Sequence, residues 1–259
     1  MTESSIWEPY AYRVVSAAMV TPVVRELWLT PRRRSLPYLP GQYVLLSDAG
    51  YRVPQRSYSL ANAPRPDGTL RILVTLVPNG ATSTWAHGLR PGDDVLVEGP
   101  FGTFTLADES TGPVLLLGAG SGLAPVKAIA EELRAAAAGR RFTLVFSGRT
   151  AVDAIDRAEL QAWDRDDPTF DYVLTLTRDP TTTHHAHVPE LVPEMFADLS
   201  GWQVFTSGPP GFVTRCARVA RELGAGAAIH TEEFFVDPQP WSAVMPPLPT
   251  GDEPKEIVQ

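Results

Sequence analysis

Between Leu106 and Gly112 the rhythm of the sequence changes, and one kind of sheet cannot satisfy both patterns. Before that point the chain runs in short β-rich segments: YRVVSAAMV (12–20), VRELWLTP (24–31), GQYVLLSD (41–48), RSYSLA (56–61), LRILVTLV (70–77) and DVLVEGP (94–100). Turn residues separate them at Pro37, Pro40-Gly41, Pro64, Asp67-Gly68, Asn79-Gly80 and Pro91-Gly92-Asp93. Six strands joined this tightly must pair antiparallel, and the spacing predicts a barrel. One helix is expected at 82–89, with Thr82 or Ser83 as its cap. After Gly112, buried strands alternate with helices: PVLLLGAG, then VKAIAEELRAAAAG; RFTLVFSG, then DAIDRAELQAW; FDYVLTLT, then a helix over 188–199; WQVFTSG, then FVTRCARVARELG; and a last strand at AIHTEEFF. That alternation reads as a doubly wound parallel sheet. The expected fold class is a β barrel plus α/β, with units at 8–106 and 112–235. The tail, 236–259, carries six prolines and four acidic residues and reads as extended.

Composition narrows the function classes. The single cysteine, Cys216, excludes an internal disulfide, a four-cysteine zinc site and a self-contained cysteine-ligated iron–sulfur cluster within these 259 residues. It is expected to be buried packing in an amphipathic helix. No apolar run approaches the roughly 20 residues of a membrane span, and MTESSIWEPYAY lacks the layout of a signal peptide. A cytoplasmic protein without a membrane span is the expectation. The net charge of −8 is uneven: residues 1–105 hold 10 Arg against 8 acidic residues, and the remainder 12 basic against 22 acidic. An acidic second half argues against nucleic-acid binding.

Six short motifs carry chemistry. Gly118-Ala-Gly-Ser-Gly-Leu-Ala-Pro125 lies between a buried strand and a helix, where glycines admit a pyrophosphate and the helix start supplies amides. Arg56-Ser57-Tyr58-Ser59, Gly80-Ala81-Thr82-Ser83 and Gly99-Pro-Phe-Gly102 punctuate the first half. Ser207-Gly208-Pro209-Pro210-Gly211 follows a strand, and Glu232-Glu-Phe234-Phe235 ends the last one. Singly, all but the first would pass for ordinary turns, caps or core aromatics.

Together, in this order, they resemble the ferredoxin–NADP reductase family of flavoproteins, over about residues 10–235. The resemblance implies a flavin-binding antiparallel barrel and an NAD(P)-binding parallel-sheet domain, with FAD and NAD(P)H as cofactors. Arg56, Ser57, Tyr58 and Ser59 would line the flavin: Arg56 pairs with its phosphate, Tyr58 lies on the ring and Ser59 sits near N5. Gly80, Ala81, Thr82 and Ser83 would hold the FAD pyrophosphate, Gly80 and Ser83 offering amides and a hydroxyl. Gly120, Ser121, Gly122 and Pro125 would meet the nicotinamide coenzyme's pyrophosphate, and Gly208 and Pro209 would wall its ring. Glu232 would relay a proton or bias the reduced ring, and Phe234 or Phe235 would cover the flavin face. Two positions depart from the family pattern: Ser207 stands where relatives often carry Cys, and Thr75 where they often carry Lys. Coenzyme choice falls to Arg149 and Arg178, against Asp179; the arginines lean to NADPH.

The implied activity is hydride transfer from NAD(P)H to bound FAD, then single electrons to a separate ferredoxin or oxygenase/P450 component, by a monomer. A free-flavin or ferric reductase and an electron-transfer subunit of a larger complex are the alternatives. His184-His185-x-His187 reads as an incidental run, with no metal site expected. Arg32-Arg33-Arg34 reads first as a solvated charge run, and second as a docking patch for an acidic carrier.

Overall fold

The computed structural model describes residues 8–106, 111–136 and 139–234. Its first half has six strands: β1 (Tyr10–Met19), β2 (Val24–Pro31), β3 (Tyr43–Asp48), β4 (Arg56–Ser59), β5 (Leu70–Thr75) and β6 (Asp94–Phe101). They are ordered β4-β3-β6-β1-β2-β5, with every named pairing antiparallel. Leu60, just past β4, bridges Ile72 of β5, so the ends of the sheet meet and the barrel closes. Its interior packs Tyr12, Leu27, Leu29, Val44, Leu46 and Ile72, the inward members of alternating strands.

Helix α1 spans Ala81–Gly88 and starts one residue earlier than expected, with Gly80 rather than Thr82 or Ser83 as the residue before its first turn. Arg25 anchors its far end by donating to the carbonyls of His87 and, at 2.8 Å, of Leu89. Cations suit a helix C-terminus, and this one fixes where the helix start points.

The second half has five parallel strands: β7 (Val114–Ala119), β8 (Phe142–Gly148), β9 (Phe170–Leu176), β10 (Gln203–Gly208) and β11 (Ile229–Glu233). Their order is β11-β10-β7-β8-β9, so the strand order reverses between β7 and β10. Ligands of open α/β sheets bind at the carboxyl ends of the strands at such a reversal. Helices α2 (Leu123–Ala136) and α3 (Arg157–Asp166) follow β7 and β8, while α4 (Val188–Met195) and α5 (Pro210–Glu222) follow β9 and β10. Leu115 and Leu117 face one apolar layer and Leu116 the other, which explains the unbroken apolar run. The layer under α2 also takes in Val24, Ala61, Leu73 and Phe104 from the first half, so one core spans both sheets.

Two helices differ from expectation. The stretch 153–163 is not one helix: a short 3₁₀ turn covers Ala151–Asp153, Asp156 turns left-handed at φ 55°, and α3 starts after it. The Asp156 carboxylate takes the Arg71 guanidinium, a contact from the other half that no local pattern displays. Helix α4 ends at Met195 instead of 199. Pro193 removes one amide from it, and Phe196 turns out to pack on Trp202, ring centroids 5.0 Å apart. Phe235 and the tail at 236–259 lie outside the described residues, as does 107–110 within the expected boundary.

Candidate active site

On the barrel side, β4 carries four of the expected residues. Arg56 and Ser57 are exposed, Tyr58 is half-buried and Ser59 is buried. Burial pushes the Tyr58 phenol up to about 12, against the opposing charge of Arg56. The loop feeding β4 is tied by Asp48, whose carboxylate accepts the amides of Gly50, Arg52 and Val53 and the Arg52 side chain. Those bonds, Arg52 first, hold Asp48 down at about 2. The Ser83 hydroxyl is committed locally: it accepts the Val77 amide at 3.1 Å and lies 3.1 Å from the Gly80 carbonyl. Thr82 donates to the Pro54 carbonyl. What the 80–83 turn offers outward is therefore backbone amide rather than hydroxyl.

On the sheet side, the turn after β7 is a 3₁₀ turn at Gly120–Gly122 leading into α2, with Pro125 in the first helical turn where no amide is missed. Its glycines do different work. A Cβ on Gly122 would lie 2.2 Å from the Ser207 carbonyl, so Gly122 lets the turn seat against β10. Gly120, at φ +57°, has nothing within 4 Å of such a Cβ and faces open space. Pro209 precedes α5, and the Phe234 amide donates to the Gly208 carbonyl at 2.9 Å, drawing Phe234 to the Gly-Pro-Pro turn. Arg149 and Arg178 are both exposed, and the Arg178 amide donates to the Arg149 carbonyl at 2.8 Å, so the turns after β8 and β9 are neighbours. Asp179 is occupied by the Thr181 amide and hydroxyl.

One hydrogen bond joins the two sides at the ends of β4 and β11. The Ser59 hydroxyl donates to the Glu232 carboxylate across 173 residues of sequence. Glu232 lies opposite Ser207 in the β10–β11 register, and Ser207 lies opposite Gly118 across β10–β7. Burial raises the Glu232 carboxyl to about 7, with the Ser59 bond pulling the other way. It can therefore take up or release a proton near neutrality. The Ser207 hydroxyl is fully buried without a partner, an unusual cost unless something else reaches it. Two residues upstream of Glu232, His230 stacks on Phe205, centroids 4.4 Å apart and planes 8° apart, which steadies β11.

Sequence reasoning missed three contributors. Thr75, noted only as a missing cation, donates to the Ser121 hydroxyl at 2.8 Å and joins the barrel to the glycine turn. Arg25 and Asp48 set the neighbouring loops; an Asp followed by Gly at i+2 is the visible signal for the second. The histidine run stays apart from this site: the His184 carbonyl accepts the Leu176 amide, and His187 precedes α4. Among the described residues, no group of three or more His, Cys, Asp or Glu is placed to hold a metal. Cys216 is one of the buried residues of α5, and that burial pushes its thiol up to about 12.

The donors present fit two dinucleotides. The starts of α1 and α5 and the 3₁₀ turn at 120–122 carry no acidic residue and no side-chain cap, leaving amides for pyrophosphate. Arg56 and the half-buried Tyr58 ring add a phosphate partner and an aromatic face.

Comparisons with known proteins agree. Residues 13–106 match the oxidoreductase FAD-binding domain, and residues 116–218 the oxidoreductase NAD-binding domain. The chain is 31% identical over 240 residues to ferredoxin–NADP reductase B of Sorangium cellulosum, covering 88% of this chain and 98% of that protein. It is 28% identical over 235 residues to reductase component 1 of the terephthalate 1,2-dioxygenase of a Comamonas species, covering 88% and 69%. A solved cytochrome P450 reductase from Amycolatopsis superposes with a TM-score of 0.81 at 30% identity, over 88% of this chain and 70% of that one. On these matches, and with the fold they share, the chain belongs to the ferredoxin–NADP reductase family and is an FAD- and NAD(P)-binding oxidoreductase.

Proposed function

We propose that this chain is the reductase of an oxygenase or P450 system, delivering electrons from NADPH to a separate iron–sulfur carrier or to the oxygenase itself. Relatives named as reductase components of a terephthalate dioxygenase, an aromatic O-demethylase and a xylene/toluene monooxygenase support that class of acceptor. The division of labour is 8–106 for flavin, 112–235 for coenzyme and 236–259 as a tail. When bound, FAD supplies hydride acceptance from the nicotinamide and release of electrons one at a time.

The residues of the chain do the rest. Arg56 and the amides of 80–83 hold the FAD phosphates, and Tyr58 fixes the ring plane. Gly120, Ser121, Gly122 and Pro125 receive the coenzyme pyrophosphate, and Gly208, Pro209 and Phe234 wall the nicotinamide. Arg149 and Arg178 would offer their guanidinium groups to a 2′-phosphate at the adenosine end, while Asp179 already accepts from Thr181. Glu232, near its midpoint at neutral pH, holds or gives up a proton beside Ser59. The observation that carries the reading is the Ser59–Glu232 bond, which ties the barrel to the end of β11, one strand from the β10–β7 reversal. One copy supplies both partners of that bond, so a monomer suffices. Among the described residues no helix is long and apolar enough to cross a membrane, and the lone buried thiol suits the cytoplasm.

Purified protein should be yellow and should bleach under anaerobic titration with NADPH at lower concentration than with NADH. Cytochrome c should then be reduced only when an iron–sulfur protein is added. Equal reduction of free flavin or ferric chelates without a carrier would replace this reading with the small-molecule reductase. Arg56→Ala should yield largely colourless protein; a full flavin spectrum would remove Arg56 from the phosphate site.

A further inference from the structure

Away from the Ser59–Glu232 contact, the two halves are also joined by a buried charge cluster. Arg71 of β5 has a side chain 4% exposed. Its Nε and Nη2 donate to Glu26 Oε2 at 3.0 and 2.6 Å, both within the barrel. Glu26 is itself held through Oε1 by the Trp28 indole at 2.6 Å. The plane of the guanidinium is thereby set from one side, and its remaining fork crosses to the other half. Nη1 and Nη2 reach Asp156 Oδ2 and Oδ1 at 2.5 and 2.8 Å, a bidentate pair. Asp156 is 13% exposed and adopts the left-handed conformation that interrupts the expected helix. Lys127 of α2, 3% exposed, extends the cluster to Glu131 at 2.6 Å, Glu159 at 3.3 Å and Asp156 at 3.9 Å. Glu131 in turn accepts the Ala63 amide of the barrel at 2.8 Å, a second crossing.

Apolar contact lets two surfaces slide, whereas a buried bidentate pair has one geometry and leaves an uncompensated charge if it breaks. Asp156 ends the connection from β8 that carries Arg149, and Lys127 lies on the helix that follows the Gly120–Gly122 turn. β5 also ends in Thr75, bonded to Ser121 of that turn. We propose that Arg71 and Asp156 are positioning residues for hydride transfer: the pair locks the α/β half onto the barrel in one orientation and sets where the coenzyme side meets the flavin side. This rests on the reductase reading above.

The test uses FAD-loaded Asp156→Asn, Arg71→Met and Arg71→Lys. All should keep the flavin content and visible spectrum of the parent. In stopped-flow reduction by NADPH, the limiting rate of bleaching should fall about 10- to 100-fold for Asp156→Asn and Arg71→Met, with Arg71→Lys between them and the parent. A purely structural role would lower the melting temperature and leave that limiting rate unchanged; a rate within twofold of the parent overturns the proposal. If Arg71→Met does not fold, the near-isosteric Asp156→Asn carries the test. Hydrogen exchange gives a readout independent of turnover: amides at 61–63 and 149–156 should lose protection together, and unchanged exchange in Asp156→Asn also overturns it. A parent that neither coenzyme bleaches would sink the reductase reading, while the exchange result would still judge the latch.

Discussion

Two of the polar contacts between the barrel and the α/β half have opposite character. Around Arg71 each nitrogen of the guanidinium is answered by Glu26 or Asp156, and Lys127 is ringed by carboxylates. Burial alone would pull the Arg71 guanidinium down, but the bonds and charges of Asp156 and Glu26 raise it further. At the cleft, one hydroxyl meets one carboxyl, Glu232 is lifted to about 7 by burial, and the Ser207 hydroxyl has no partner. A satisfied cluster specifies geometry. An under-satisfied one carries an energetic cost that persists where a ligand or a reaction uses it.

The contrast breaks most plainly at the charge cluster. Asp156→Ala leaves the buried guanidinium with Glu26 as its one carboxylate partner and should cost about 3 kcal/mol in urea unfolding; a loss below about 1 kcal/mol would put the two contacts on the same footing. Glu232→Gln should act through pH instead. The folded Glu232 carboxyl lies above its ordinary 4.5, at about 7, so the folded chain binds the extra proton between those values. Its contribution is greatest below about 4.5 and is lost as pH rises to about 7. In flavin-free protein, stability should fall by about 1–3 kcal/mol over that window and the Gln variant should lack the slope. Equal slopes in both would place the titration elsewhere. Tyr58→Ala should weaken FAD retention by about 1–3 kcal/mol, read by equilibrium dialysis, if its ring lies on the flavin. The smallest effect belongs to Thr75→Val, which removes one cross-half hydrogen bond and should cost about 1 kcal/mol. A larger loss would promote Thr75–Ser121 to a third principal joint.

Legibility in the sequence followed the range of the interactions. β2, β7 and β8 could be read almost to the residue, because burial on one or both faces writes itself into alternating or continuous apolar runs. The glycine turn at 118–125 announced itself through strand–turn–helix context. Ser59 and Glu232 entered only through a resemblance, since a lone Ser and a lone Glu carry no pattern. Their pairing across 173 residues is a product of two sheets meeting. That Gly122 also lets the turn seat against the Ser207 carbonyl of β10 is a contact no local pattern displays.

The chain's local chemistry alone determined that an antiparallel barrel precedes a parallel sheet, and that a glycine-rich turn leads from a buried strand into a helix at 118–125. Periodicity and turn residues are short-range signals, and those features are short-range facts. Tertiary structure alone decided that Asp156 would leave the helix to meet Arg71, that Glu232 would titrate near neutrality and that the Ser207 hydroxyl would be stranded. Each depends on which distant group removes water from which side chain, and desolvation is a property of the assembled fold.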